Sequence, residues 1–143
     1  MTGVQTCALP ISVTVKSEKT FTDLDLNFNI HPIRKDINTF KNEYAISNSI
    51  KNLVLTNHYE RPFNPVIGSN IRRLLFDIVN DLSAAQIERE ITETIENFEP
   101  RARVSKVDVF AAPDQNGYRV TLEFFIVNLP NPVSITFFLE RIR

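Results

Sequence analysis

The stretch Asn116-Gly117-Tyr118-Arg119-Val120-Thr121-Leu122-Glu123-Phe124-Phe125-Ile126 decides the fold class. Asn-Gly is a strong signal for a tight turn between antiparallel strands. Beyond it Tyr118, Val120, Leu122, Phe124 and Ile126 share one parity, against Arg119, Thr121 and Glu123. Side chains alternate across a strand, so this run is a strand with one apolar face. Upstream, Val107 and Val109 alternate with Lys106 and Asp108. Downstream, Pro130-Asn131-Pro132 leads to Val133, Ile135, Phe137 and Leu139, interleaved with Ser134, Thr136 and Glu140. Three antiparallel strands are expected.

Before Pro100 the period is helical. Asn42 is a candidate N-cap for a helix carrying Ile46, Ile50, Leu53 and Val54 and ending near Thr56 and Asn57. Pro62, Pro65 and Gly68 then forbid continuation. Ser69 is read as the cap of a second helix with Ile71, Leu74, Leu75, Ile78, Val79 and Leu82 on one face. Ser83 and Gln86 form a capping-box pattern for a third, with Ile87, Ile91, Ile95 and Phe98 as its stripe and Pro100 as its stop. The layout is α+β: three helices, then an antiparallel three-stranded β-sheet. Leu24, Leu26, Phe28 and Ile30 alternate with Asp25, Asn27 and Asn29, which reads as an edge strand or an extended N-terminal arm. Asp36 to Phe40 is a further short extended stretch.

Residues 1–12, MTGVQTCALPIS, share no periodicity with the rest. They closely resemble the translation of a common sequencing-library adapter, and they lack the basic and apolar regions of a secretory signal. They are expected to be foreign to the protein, which would leave the native amino terminus missing. The expected organisation is residues 1–12 as adapter, 13–41 as the arm and 42–143 as one α+β domain.

Composition removes several functions. Of 143 residues, 43% are hydrophobic and 23% charged, as in soluble globular proteins, and the net charge of −1 exerts no pull on nucleic acid or anionic membrane. No apolar run approaches the roughly 20 residues of a membrane span. Only three glycines are present, too few for a phosphate-cradling loop as well as ordinary turns. Cys7, His31 and His58 are too few for a Cys/His zinc site, and no Asp/Asn-Gly calcium-loop spacing is present. A carboxylate-only metal site stays open in principle, but no cofactor or metal is expected. Arg72 and Arg73, and the run Arg101, Arg103 and Lys106, come without an aromatic stacking platform.

Four stretches, in order and spacing, resemble the wedge proteins of T-even phage baseplates, a family that includes a type VI secretion baseplate component. They are Ser49-Ile50-Lys51-Asn52; Arg61-Pro62-Phe63 with Pro65 and Gly68; Leu75-Phe76; and Glu99-Pro100-Arg101. The resemblance runs from about Asp23 to Arg143. It implies a structural, non-enzymatic subunit of the virion tail baseplate, assembled in the host cytoplasm and arranged with six-fold symmetry. Its implied partners are the helical bundle of the larger wedge proteins and the tail sheath protein, whose assembly it starts. The same fold serves bacterial contractile secretion and injection systems, which is the alternative setting.

Glu99, Pro100, Arg101, Arg61, Phe125 and Phe138 are the candidate partner-interface residues. Pro100 fixes the helix end, so Glu99 and Arg101 are expected to leave it in defined directions. Arg101 then offers its five-donor fork to a partner, or pairs locally with Glu99. Phe125 and Phe138 point away from the apolar stripe, where a second layer of this chain or a partner would cover them. Some family members have been labelled lysozymes, and glycosidase chemistry needs two carboxylates across a cleft. Glu88, Glu90, Glu93 and Glu96 instead fall opposite the isoleucine stripe, on a solvated face.

Overall fold

The computed structural model describes residues 20–25, 28–127 and 129–142. The adapter-like segment with Cys7, the first part of the arm, and Leu26 with Asn27 lie outside them. The elements run β1 (Thr22–Leu24), β2 (Thr39–Lys41), α1 (Glu43–Leu55), α2 (Ile71–Leu74), α3 (Asp81–Phe98), β3 (Ala102–Ala112), β4 (Gly117–Ile126) and β5 (Pro132–Glu140). The expected α+β layout is therefore present.

β4 lies between β3 and β5 in the antiparallel sheet. Val107, Val109, Tyr118, Val120, Leu122, Phe124, Ile126 and Leu139 point toward the helices and meet Ile46, Ile50, Val54, Ile87, Ile91 and Ile95 in one core. α3 packs on β3, with α1 and α2 against α3. This cover is uneven. β4 is buried on its inner face, whereas Val133, Ile135 and Phe137 of β5 are only half-buried. A register shift between Val104 and Lys106 marks a β-bulge in β3.

The β3–β4 turn sits where Asn116-Gly117 placed it, with a different geometry. Pro113–Gln115 form a 3-10 turn and Asn116 is left-handed at φ 53°. Gly117 is already in the strand. A methyl group there would overlap the Leu139 carbonyl and the Phe138 ring, so the glycine is required by packing.

Two helix readings are corrected. The second helix does not reach Leu82, because α2 stops at Leu74. Asn80, rather than Ser83, caps α3, accepting a hydrogen bond from the Ser83 amide at 2.7 Å. The Ile78 carbonyl is spent outside any helix, accepting from Ser83 Oγ at 3.3 Å and Tyr118 Oη at 3.4 Å. Ile78 and Leu82 are left exposed. Ser69 is not the cap of α2 either: it is buried, and its hydroxyl donates to the Val54 carbonyl at 2.7 Å. Asn42 does precede α1, but at φ 48° and without a capping bond. Its side chain accepts instead from the Phe21 amide at 3.2 Å.

The described part of the arm folds back on itself. β1 and β2 pair antiparallel, with Thr22 opposite Lys41 and Leu24 opposite Thr39. An Ile30–Ile37 bridge continues the ribbon. It rests against α1.

Candidate functional site

The interface residues read from the sequence fall in three places. Arg61 and the neighbouring Phe63 are exposed on the loop between α1 and α2. Glu99, Pro100 and Arg101 form the corner where α3 hands over to β3. Phe125 and Phe138 lie on the outer face of the sheet, near its two ends. The structure does not bring these groups together.

Pro100 is exposed at the corner. Its two charged neighbours face each other, the local pairing that the sequence left open beside a partner contact. Glu99 is 4% exposed. Arg101 donates from Nε to Glu99 Oε1 at 2.6 Å and from Nη2 to Oε2 at 2.7 Å, a bidentate fork on one carboxylate. Ser49 of α1 donates to Oε2 at 2.7 Å, and Arg101 Nη2 reaches the Ser49 hydroxyl at 3.2 Å. The guanidinium lies over the Phe21 ring, 5.4 Å from its centroid. One corner thus ties α1, α3, β3 and the chain leading into β1.

A carboxylate so deeply placed would ordinarily be neutralised. Burial raises the Glu99 pKa, but the hydrogen bonds from Arg101 and Ser49 and the Arg101 charge outweigh it, and the net shift is downward. Arg101 is raised in turn, chiefly by its hydrogen bond to Glu99. The pair is ionised at neutral pH. With its side chain 34% exposed, Arg101 keeps a solvent-facing edge.

The second place is the outer face of the sheet. Register sets its rows: Arg103, Phe125 and Pro132; Lys106, Glu123 and Ser134; Asp108, Thr121 and Thr136; Phe110, Arg119 and Phe138. Phe125 is 40% and Phe138 42% exposed, so no described segment of this chain forms a second layer over them. Phe110, more exposed still, was missed in the sequence. Its parity, opposite to Val107 and Val109, carried the signal. Ser49 and Phe21 were missed as partners of the corner, and no local pattern could have shown them.

β3 and β5 are the two edges of this sheet. Among the described residues no strand pairs with the far side of β5. Among the described residues, too, no group of His, Cys, Asp and Glu could hold a metal ion. On α3, Glu88, Glu93 and Glu96 are exposed and Glu90 is half-buried, with Glu90 Oε1 accepting from the Asn70 amide at 2.9 Å. All four stand on a single helix rather than on opposing walls of a cleft.

Comparison with known proteins fits this architecture. The profile of the family described as baseplate wedge protein gp25 matches residues 41–130. The baseplate wedge protein gp25 of Enterobacteria phage T4 is 27% identical over 116 residues, covering 81% of this chain and 87% of that protein. In the anti-feeding prophage baseplate, a chain superimposes with a TM-score of 0.66 at 19% identity, over 78% of this chain and 90% of its own length. A Geobacter sulfurreducens protein that carries a tail lysozyme label superimposes with a TM-score of 0.64 at 21% identity, over 71% and 92%. At those identities the two structures establish a shared fold. The profile match spans well over half of the chain, and with the fold and the four motif stretches in place this chain belongs to the gp25 family of baseplate wedge proteins.

Proposed function

We propose that this chain is a structural subunit of a contractile tail baseplate that docks on the helical bundle of larger wedge proteins and nucleates the sheath. The observation that carries the reading is β5. Nine residues long, it is unpaired along one side among the described residues, half-covered on its inner face and open on its outer face. An edge strand with free backbone donors and acceptors is a template for an added strand, and flanking pockets for alternate side chains supply specificity. Phe125 and Phe138 present apolar surface beside it. A strand contributed by the sheath protein fits this surface. The bundle would meet the corner through Pro100 and the solvent-facing edge of Arg101, with Glu99 holding the guanidinium in place from beneath.

Family membership supports a place in the tail baseplate of a virion, with assembly in the host cytoplasm and copies following the six-fold symmetry of the organelle. A structural rather than enzymatic role is supported by the name of the phage T4 relative and by the carboxylates of α3, which share a single helix, three of them exposed. The test is reconstitution. The chain is co-expressed with the adjacent wedge and sheath genes, and baseplates with and without it are examined for sheath polymerisation. Sheath that initiates equally well without the chain would sink the proposal. Secretion ATPase genes beside this one would move it to the bacterial injection machine.

A further inference from the structure

The loop from Asn57 to Ser69 closes on itself. The Tyr59 amide donates to the Pro65 carbonyl at 2.7 Å, His58 Nδ1 to the Val66 carbonyl at 2.9 Å, and the Ser69 amide to the Thr56 carbonyl at 2.8 Å. Gly68, at φ 149°, lets the returning strand approach Asn57 so closely that a Cβ would stand 2.6 Å from the Asn57 carbonyl carbon. Against α2 this loop leaves a depression of about 610 Å³. That is the size of a small-ligand or side-chain pocket, too small for a flat protein face. Tyr59, Val66 and Phe76 supply apolar wall and are 84%, 68% and 55% exposed. Tyr59 is held at φ 67°, a left-handed conformation costly for a bulky residue and found where a side chain is being aimed.

Arg72 and Arg73 are the charged residues of the lining. The Glu60 and Glu90 carboxylates are engaged beside it, accepting from the amides of the lining residues Asn57 and Asn70 at 2.9 Å each. Both arginines are exposed, and neither forms an ion pair among the described residues. We propose that this depression is a docking site for an acidic segment of a partner protein, which seats an apolar side chain between Tyr59, Val66 and Phe76 and its carboxylates on Arg72 and Arg73. The site extends the reading of the chain as an assembly subunit and is separate from the corner and the sheet edge. Apolar walls supply area and the paired forks supply selection for carboxylates.

The test uses the full chain and short synthetic peptides, followed by amide NMR. Glu-Asp-Leu-Phe-Asp-Glu should shift the signals of Tyr59, Val66, Arg72 and Phe76. Arg72→Glu combined with Arg73→Glu should weaken this binding at least about tenfold while leaving core amide signals in place. Phe76→Ser provides a second variant should the double charge reversal unfold the chain, and it should weaken binding by a similar factor. The proposal is overturned if Lys-Lys-Leu-Phe-Lys-Lys or a single-stranded DNA oligonucleotide binds as tightly, or if the acidic peptide shifts other regions or nothing at all. The sheath reconstitution reads a different surface, so either result stands without the other.

Discussion

The Glu99–Arg101 corner and strand β5 both lie at the margin of the core. At the corner, every strong polar group finds a partner inside the chain: the carboxylate takes the Arg101 fork and the Ser49 hydroxyl, and the guanidinium is shared with Phe21. Along β5, one side of the backbone has no strand beside it among the described residues and Phe138 stands in the open. A charged motif can therefore be a framework element, while an ordinary run of alternating residues carries the unfilled valences of the molecule. Free valence, more than charge, marks where a partner is needed.

The comparison breaks most sharply at Arg101. Arg101→Ala leaves Glu99 buried with only Ser49 to hold its charge. This should cost about 1.5 to 3 kcal/mol in urea denaturation, short of the cost of a fully buried pair because Arg101 is partly solvated. Arg101→Lys should restore part of it, since the charge remains and the fork is lost. Stability equal to the parent chain would show the corner to be open, like β5. An Arg101→Ala change must therefore be scored for folding before any loss of bundle binding is credited to the interface.

A smaller effect is expected with pH. The folded-state pKa of Glu99 lies below its unfolded value, so its contribution is complete above the ordinary carboxylate range. It fades as pH falls through the folded pKa. Urea midpoints followed downward from neutrality should drop less steeply for Glu99→Gln than for the parent. Parallel curves would mean that the carboxylate is no better held in the folded chain than in the unfolded one.

On the open face, Phe125→Ser should change stability by about 1 kcal/mol or less, because part of the ring is already in water. Loss of sheath initiation without loss of melting temperature would sharpen the contrast with Arg101. The reverse pattern would make Phe125 a core residue. The smallest change is expected at Glu93→Gln on α3. It should lie within about 0.5 kcal/mol, and neither it nor the parent should release products from peptidoglycan. Turnover that disappears in the variant would overturn the structural role.

Long-period patterns were legible in the sequence where packing agreed with them. The Ile87, Ile91 and Ile95 stripe and the alternation through Phe124 reappear in the core, and α3 ends just before Pro100. The reading of α2 failed because Ile78 and Val79 keep helical spacing without being in a helix, and Leu82 already belongs to α3. Asn80 offered a better cap, and the Ile78 carbonyl was claimed from outside. The local pairing of Glu99 with Arg101 was among the readings, but its burial was not legible, because the serine that helps hold it is fifty residues away. The open face of the sheet was read correctly in direction, but whether a layer would cover it depended on the whole topology.

The notch at Gly117 acts as a ruler. The Phe138 ring occupies it, so β5 cannot slide along β4 by a residue pair without offering Thr136 or Glu140 to a space shaped for an aromatic ring. A slip of a single residue would turn its apolar side chains outward. β5 is thus locked in phase before anything joins it, and a strand laid along its far side inherits that phase. One glycine, buried on the side away from the newcomer, sets where the next polymer begins its count.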